Sequence, residues 1–400
     1  MSSPFQPALP EPLLRERLPA AWNGLPDRAR VEAAVAQALD AVARNLAHFG
    51  DAFPMPSSVG GIYPAMDNTE WTNGFWTGML WLSHELGGGE VFRAAAERHV
   101  ASFDARQRDR IATNHHDLGF LYSLSCVAGY KLTGSERARD AALGAARLLL
   151  ERFLPNAGII QAWGDLHDPA QRGRMIIDCN LNLPLLYWAS DTSGDLRFRD
   201  AADRHIAQAA RHIVRADGST FHTFFFDGES GQPREGKTHQ GHADDSCWAR
   251  GQAWGIAGFA LVARHNGDTR LLQLSKVLAN YYLNRLPADG ICHWDLVFTD
   301  GTQERDSSAA AVAACGLLEL ARNLPLLDPL RAEYERAAAG MVLTLSEQYF
   351  AHDGAPGAGL LRHAVYHMPN HVGVDESCIW GDYFYLEALL RLTRIWEPYW

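Results

Sequence analysis

The chain has 400 residues, 47% of them hydrophobic and 21% charged, which is the balance of a water-soluble globular protein with material for a large core. A formal net charge of -11, with Lys131, Lys237 and Lys276 the only lysines, leaves no basic stripe for nucleic acid and no polybasic patch for an anionic membrane. The six cysteines (126, 179, 247, 292, 315 and 378) form no C-x-x-C and no dense even spacing, so they read as buried thiols in a reducing compartment. The N-terminus lacks a basic stretch followed by an apolar one, and no apolar run approaches the length of a membrane span. The cytoplasm is the expected location.

In chain order, residues 1–26 are a proline-rich, poorly periodic N-terminal arm, and residues 27–400 form one domain with no linker. Asp27 opens a run to Gly50 with apolar positions at helical spacing. From there a pattern repeats: a helix rich in Ala, Leu and Arg, a loop, then a second helix with a polar or aromatic start and a strongly apolar continuation. The count is about twelve helices. The second members begin near Trp71, His115, Asp178, Asp245, Asp306 and Asp375, about 44 to 70 residues apart, a spacing that suits helical hairpins. Runs such as Ser308 to Leu318 are apolar on nearly all faces and belong inside; Val91 to Gln107 and Glu136 to Phe153 carry charge on one face and belong outside. Six inner and six outer helices make an all-α closed toroid, with the inner N-termini gathered at one mouth. Strand signals are limited to Ser219–Phe226 and Gly290–Asp295, consistent with small hairpins at the rim.

Chemistry concentrates at the inner helix starts. Asp178-Cys179-Asn180 heads one apolar run, and Asn114-His115-His116-Asp117 heads another. For any one of these acids, helix capping is the ordinary reading. Capping does not call for Trp, His and Arg alongside, which argues for a pocket. Exposed tryptophans beside carboxylates and amides suit a sugar, since a flat ring covers a pyranose face while polar groups read its hydroxyls. Trp71, Trp163 and Trp254 are the candidates; Trp81, Trp188 and Trp396 are expected in the core.

His239-x-x-His242 and His363-x-x-x-His367-x-x-x-His371 have ligand-like spacing, but Pro369 and Asn370 break any helix that would align the second set, and H-E-x-x-H is absent. No metal and no cofactor are expected. There is no phosphate-binding glycine loop and no G-x-S-x-G nucleophile elbow.

Across nearly its whole length the chain resembles the unsaturated glucuronyl hydrolases of glycoside hydrolase family 88, through Glu70-Trp-Thr-Asn-Gly-Phe-Trp76, His116-Asp-Leu-Gly-Phe120, Ile177-Asp-Cys-Asn-Leu-Asn-Leu-Pro184, Trp248-Ala-Arg-Gly-Gln-Ala-Trp254 and Ile379-Trp-Gly-Asp382. The resemblance implies an (α/α)6 barrel, which agrees with the hairpin count. It implies an enzyme acting on small unsaturated uronic-acid disaccharides left by lyases on glycosaminoglycans; a bacterial source and a monomer or homodimer are expected. The reaction it implies is hydration of the C4=C5 vinyl ether followed by loss of the second sugar. Matched motif to motif, Asp178 is the expected general acid/base and Asp117 its assistant. His116, His222, Gln240 and Arg250 would surround the uronate and its carboxylate, with Trp71, Trp163 and Trp254 framing it. Some members that take sulfated disaccharides carry Ser and Lys after the tyrosine near the C-terminus; here Tyr366 is followed by His367-Met-Pro-Asn-His371, so unsulfated substrate (chondroitin or hyaluronan products) is expected. The alternatives are an unsaturated rhamnogalacturonyl hydrolase of family 105 and a sugar 2-epimerase on the same barrel.

Overall fold

Short polar side chains start most of the outer helices. Asp27 accepts the Ala29 N–H at the head of α1 (Arg28–Phe49), which stops at Gly50, a residue with φ 58°. In the computed structural model, which describes residues 9–24, 27–352 and 354–400, this start recurs. Ser135, Asp195 and Asp268 cap α6 (Glu136–Glu151), α8 (Leu196–His212) and α10 (Thr269–Leu283) through their side-chain oxygens. With α3 (Glu90–Arg108) and α12 (Arg331–Thr344), these are the six outer helices. Each buries one stripe and leaves the other wet; in α6 the stripe is Ala138, Ala141, Ala142, Ala145, Leu148 and Leu149.

The inner helices are α2 (Asn73–Ser83), α4 (Leu118–Tyr122) continued through a π turn into α5 (Ala128–Thr133), α7 (Leu183–Ser193), α9 (Ala249–Asn266), α11 (Ser307–Asn323) and α13 (Ile379–Thr393). They touch in ring order, and α13 closes against α2. Every residue of α2 is buried, as is α9 from Ala249 to Ala263, because an inner helix has neighbours on all sides. Close approach requires small residues: a Cβ on Gly316 of α11 would lie 2.8 Å from the Ala257 backbone of α9. The chain is thus an all-α (α/α)6 barrel with twelve helices among the described residues, α4 and α5 counting as one.

Two inner helices begin later than their sequence suggests. Asp245 lies in a loop that Asp295 holds by accepting from His242 N, Ser246 Oγ and Cys247 N, so α9 starts at Ala249. Asp375 falls within a strand, Val372–Glu376, and α13 starts at Ile379. The rim also holds more pairing than expected, in four small antiparallel sheets. β1 (Phe53–Pro54) pairs with β2 (Ala65–Met66), and β3 (Phe153–Leu154) with β4 (Ile159–Ile160). β5 (Arg174–Ile176), β6 (Thr223–Phe226) and β7 (Pro233–Lys237) form the three-stranded sheet, and β8 (Ala364–His367) pairs with β9 (Val372–Glu376). The Gly290–Asp295 segment contributes isolated bridges, His293 to Arg305 and Asp295 to Trp248.

Residues 1–8 and 25–26 of the expected arm lie outside the described residues. The rest lies against α10 and α12: Trp22 is buried over Gly340, and Asn280 and Asn284 donate to the Glu11 and Pro12 carbonyls. Among the described residues no helix is long and apolar enough to cross a membrane.

Candidate active site

The two acids singled out in sequence meet at the barrel mouth. Asp117 precedes α4 and Asp178 sits in the 3-10 turn Ile177–Leu181 before α7, yet neither side chain makes a capping hydrogen bond to its helix. Asp306, with the same signature, does cap: its Oδ1 accepts from Ser308 N and Ala309 N. The capping reading is therefore right for Asp306 and fails for Asp117 and Asp178. Between those two stands His116, whose Nε2 is 3.3 Å from Asp117 Oδ1 and 3.3 Å from Asp178 Oδ1. Asp178 Oδ1 is buried with no hydrogen-bond partner, as is His116 Nδ1.

Backbone contacts fix this trio. His116 N–H donates to the Ala162 carbonyl, and Ile177 N–H donates to the His222 carbonyl, which ties the Asp178 turn to the three-stranded sheet. Asn182 joins the two acid-bearing turns, since its Oδ1 accepts the Phe120 N–H at 2.8 Å. Gly119 permits that junction; a Cβ there would lie 2.4 Å from Asn182 Cα.

Electrostatics separates the two acids. Burial pushes the Asp178 carboxyl up, His116 pulls it back and the Asp117 charge raises it again, so that it settles at about 6. Asp117 is also penalised by burial, but His116 and His115 outweigh that and hold it well below the usual carboxylate range. Burial disfavours the His116 cation, yet Asp117 and Asp178 together hold it well above the ordinary imidazole value. The site thus keeps one ionised carboxylate, one imidazolium and one carboxyl poised to give or take a proton near pH 6. The donor atoms of His116, Asp117 and Asp178 lie within 4.8 Å of one another and could hold a cation. A protonated His116 fills that electrostatic role itself.

The other expected residues divide. His222 is buried, and its Nδ1 accepts from both His239 N and Gln240 N, so the proton is on Nε2. Burial, then His239 and Arg250, depress its pKa well below the usual value, keeping it a neutral donor. Trp71 is half-buried, stacked on Trp380 at 5.4 Å and held by donation from Nε1 to Tyr366 Oη. Trp163 is 37% exposed. Both rings have a face to offer.

Two expected residues, Trp254 and Arg250, are more deeply set. Trp254 is 1% exposed, wedged between Phe120 and Phe384, and has no free face for a sugar; its position on α9 puts it inside the ring. Arg250 was expected to bind the uronate carboxylate, but its four Nη hydrogens already have acceptors. Nη1 donates to Asp306 Oδ2 and Val365 O, and Nη2 to Gln240 Oε1 and Tyr366 O. With Asp306 at 3.0 Å its charge is matched, and Trp248 and Trp380 flank the guanidinium. Gln240 is thus oriented by Arg250. The histidine spacings also resolve: His239 meets His367 at 5.0 Å, whereas His242 packs on Phe298 and His363 pairs with Asp375.

Residues 57–371 match the profile of glycosyl hydrolase family 88. The chain belongs to glycosyl hydrolase family 88. As a family 88 member it is an enzyme, a glycoside hydrolase. It is 48% identical over 371 residues to the unsaturated chondroitin disaccharide hydrolase of Streptococcus pneumoniae, covering 92% of this chain and 93% of the other. The crystal structure of the unsaturated glucuronyl hydrolase of Streptococcus agalactiae superposes with a TM-score of 0.96 at 45% identity, covering 100% of both chains. An Asp-to-Asn variant of that enzyme, complexed with dGlcA-GalNAc6S, superposes with a TM-score of 0.89 at 43% identity, again over 100% of both chains.

One residue that holds the family 88 site together carries little signal in the sequence. Arg152 is buried and donates to Gln161 O, Asn114 Oδ1 and Gly164 O, fastening the loop that carries Trp163. Nothing local distinguishes it from other helix-end arginines; an Arg in the last turn before a Gly-rich, Trp-bearing loop was the one available signal.

Proposed function

We propose that the enzyme hydrates the C4=C5 double bond of an unsaturated glucuronyl disaccharide or short oligosaccharide of glycosaminoglycan type, and so releases the second sugar. The observation that carries this reading is the uncapped Asp178, pushed up to about 6, whose Oδ1 stands 3.3 Å from a protonated His116 that also holds an ionised Asp117. A general acid works best with its pKa near the operating pH. Asp178 gives its proton to C4, and cationic character forms at C5, shared with the ring oxygen. Water adds at C5 and returns a proton to Asp178, leaving a hemiketal. The hemiketal opens to a C5 ketone, and the exposed C1 hemiacetal expels the second sugar. Asp117 assists by sustaining the charge on His116 and the raised pKa of Asp178. Trp71 and Trp163 cover the sugar faces; His222 Nε2–H, His116 and Gln240 read its oxygens. A relative's complex with dGlcA-GalNAc6S supports a uronyl hexosamine as substrate.

The segment after Tyr366 carries no lysine, which supports a second sugar unsulfated where it meets that wall, as in chondroitin or hyaluronan products. Six free, buried thiols support a cytoplasmic location. A sugar epimerase would need a histidine pair exchanging protons, and His222 Nδ1 is occupied by two backbone donors.

The test follows the conjugated enoate absorbance of a lyase-made disaccharide, which hydration abolishes. Asp178→Asn should bind but turn over at less than about a hundredth of the wild-type kcat. Retention of more than that would remove Asp178 from the acid/base role.

A further inference from the structure

Next to the site, on the outer side of the Trp163 ring, lies a groove of about 400 Å³ walled by the three-stranded sheet and the loop before it. Its charge is unlike the rest of this acidic chain. Arg172, Arg174, Arg234 and Lys237 line it, with Glu235 the one acid among the lining residues. Two of the four cations are neutralised within the chain: Arg234 pairs with Asp227, and Lys237 with Glu235 and Asp244. Arg172 and Arg174 have no carboxylate partner among the described residues, and Arg172 Nε is buried with no hydrogen-bond partner. Arg174 is held between aromatic rings instead, 3.5 Å from the Trp163 centroid and 5.2 Å from that of Phe225. An ordered, partly desolvated guanidinium with its donor edge uncommitted is suited to an oxyanion.

The groove's place relative to the reacting atoms follows from the chain. Arg174 opens β5, the strand that runs into Asp178 four residues later, so at a strand rise of about 3.3 Å per residue the two are at most about 13 Å apart. The intervening wall is shared: Trp163 stands 5.5 Å from His239, whose backbone N–H binds His222. Within that limit, a chain seated with its unsaturated uronate at Asp178 would extend its later residues along Trp163.

We infer that Arg174 and Arg172 form a binding subsite for an oxyanion carried beyond the unsaturated uronate, either a sulfate ester on the second sugar or the carboxylate of a third. This rests on the reaction proposed above. It adds a charged determinant that the lysine-free segment 367–371 does not supply.

The test compares wild type, Arg174→Gln and Arg174→Lys, in the full-length enzyme, on three lyase products: an unsulfated disaccharide, a sulfated disaccharide and an unsulfated tetrasaccharide whose third sugar is a uronate. Arg174→Gln should lose about tenfold in kcat/KM, mainly through KM, on at least one of the two longer-charged substrates, while the unsulfated disaccharide changes less than about twofold. Which arm falls tells sulfate from carboxylate. Arg174→Lys should recover most of the loss, and added salt should shrink the wild-type preference, because the groove is open to solvent. Equal losses on all three substrates, or none, would overturn the subsite; so would failure of lysine to rescue, which would mean that Arg174 only supports the Trp163 ring. A wild-type enzyme that hydrates none of the three would overturn the proposed reaction instead.

Discussion

Asp178 shows how one side chain answers to two demands. Unfolded, its carboxyl titrates near 3.8; folded, burial and Asp117 keep it protonated up to about 6. The native state binds more protons in that window, so stability falls as pH rises from about 3.8 to about 6, and above it the buried charge costs up to about 3 kcal/mol. Asp178→Asn should therefore raise the Tm at neutral pH while abolishing turnover, and the gain should vanish as the pH drops below 3.8. Thermal unfolding of both proteins across pH checks this; an equal or lower Tm for the variant at neutral pH would contradict it. The wild-type kcat/KM should fall as pH rises through about 6, where the acid loses its proton, and a profile flat through that point would mean another group donates.

Among the secondary-structure elements, the junction at Arg250 is the most informative. Its guanidinium links the first turn of α9 to Asp306 at the head of α11 and to the carbonyls of Val365 and Tyr366 in β8. Breaking a buried ion pair by removing one partner leaves the other charge uncompensated and costs about 3–5 kcal/mol. Arg250→Ala should lower the Tm accordingly. It should also reduce kcat/KM by the same factor on a free-acid disaccharide and on its methyl ester, because the defect is in the mouth and not in carboxylate binding. A loss confined to the free acid at unchanged Tm would return Arg250 to the substrate.

The whole molecule is closed at the far end of the barrel by its last residues. Trp400 stacks on Phe384 at 5.7 Å and donates to Glu387, while Trp396 and Tyr399 both donate to Glu85. All three rings are buried. Losing one buried aromatic costs about 3–5 kcal/mol, and a domain is stable by only about 5–15. Deleting residues 396–400 should therefore abolish cooperative urea unfolding, whereas Trp400→Phe, which keeps the stack and loses one buried hydrogen bond, should cost about 1–3 kcal/mol. Native-like unfolding of the truncated chain would mean that the barrel closes without its tail.

Much of this molecule is legible in its residues in order. The alternation of one-faced and all-round apolar helices follows from whether a helix has neighbours on one side or on every side, so the six hairpins of the barrel can be read locally. The pairing of Asp117 with Asp178 was visible in the same way, as two acids heading inner helices. What local pattern could not separate was Asp306, which caps, from Asp178, which does not, because that depends on whether a backbone N–H or the His116 ring lies nearest the carboxylate. The same holds for Arg250, committed to acceptors 10 to 116 positions away, and for Arg174, whose lack of a carboxylate partner exists only once the sheet has placed every acid elsewhere. Charge pairing and pKa depend on distances across the fold, and those are set when the ring closes.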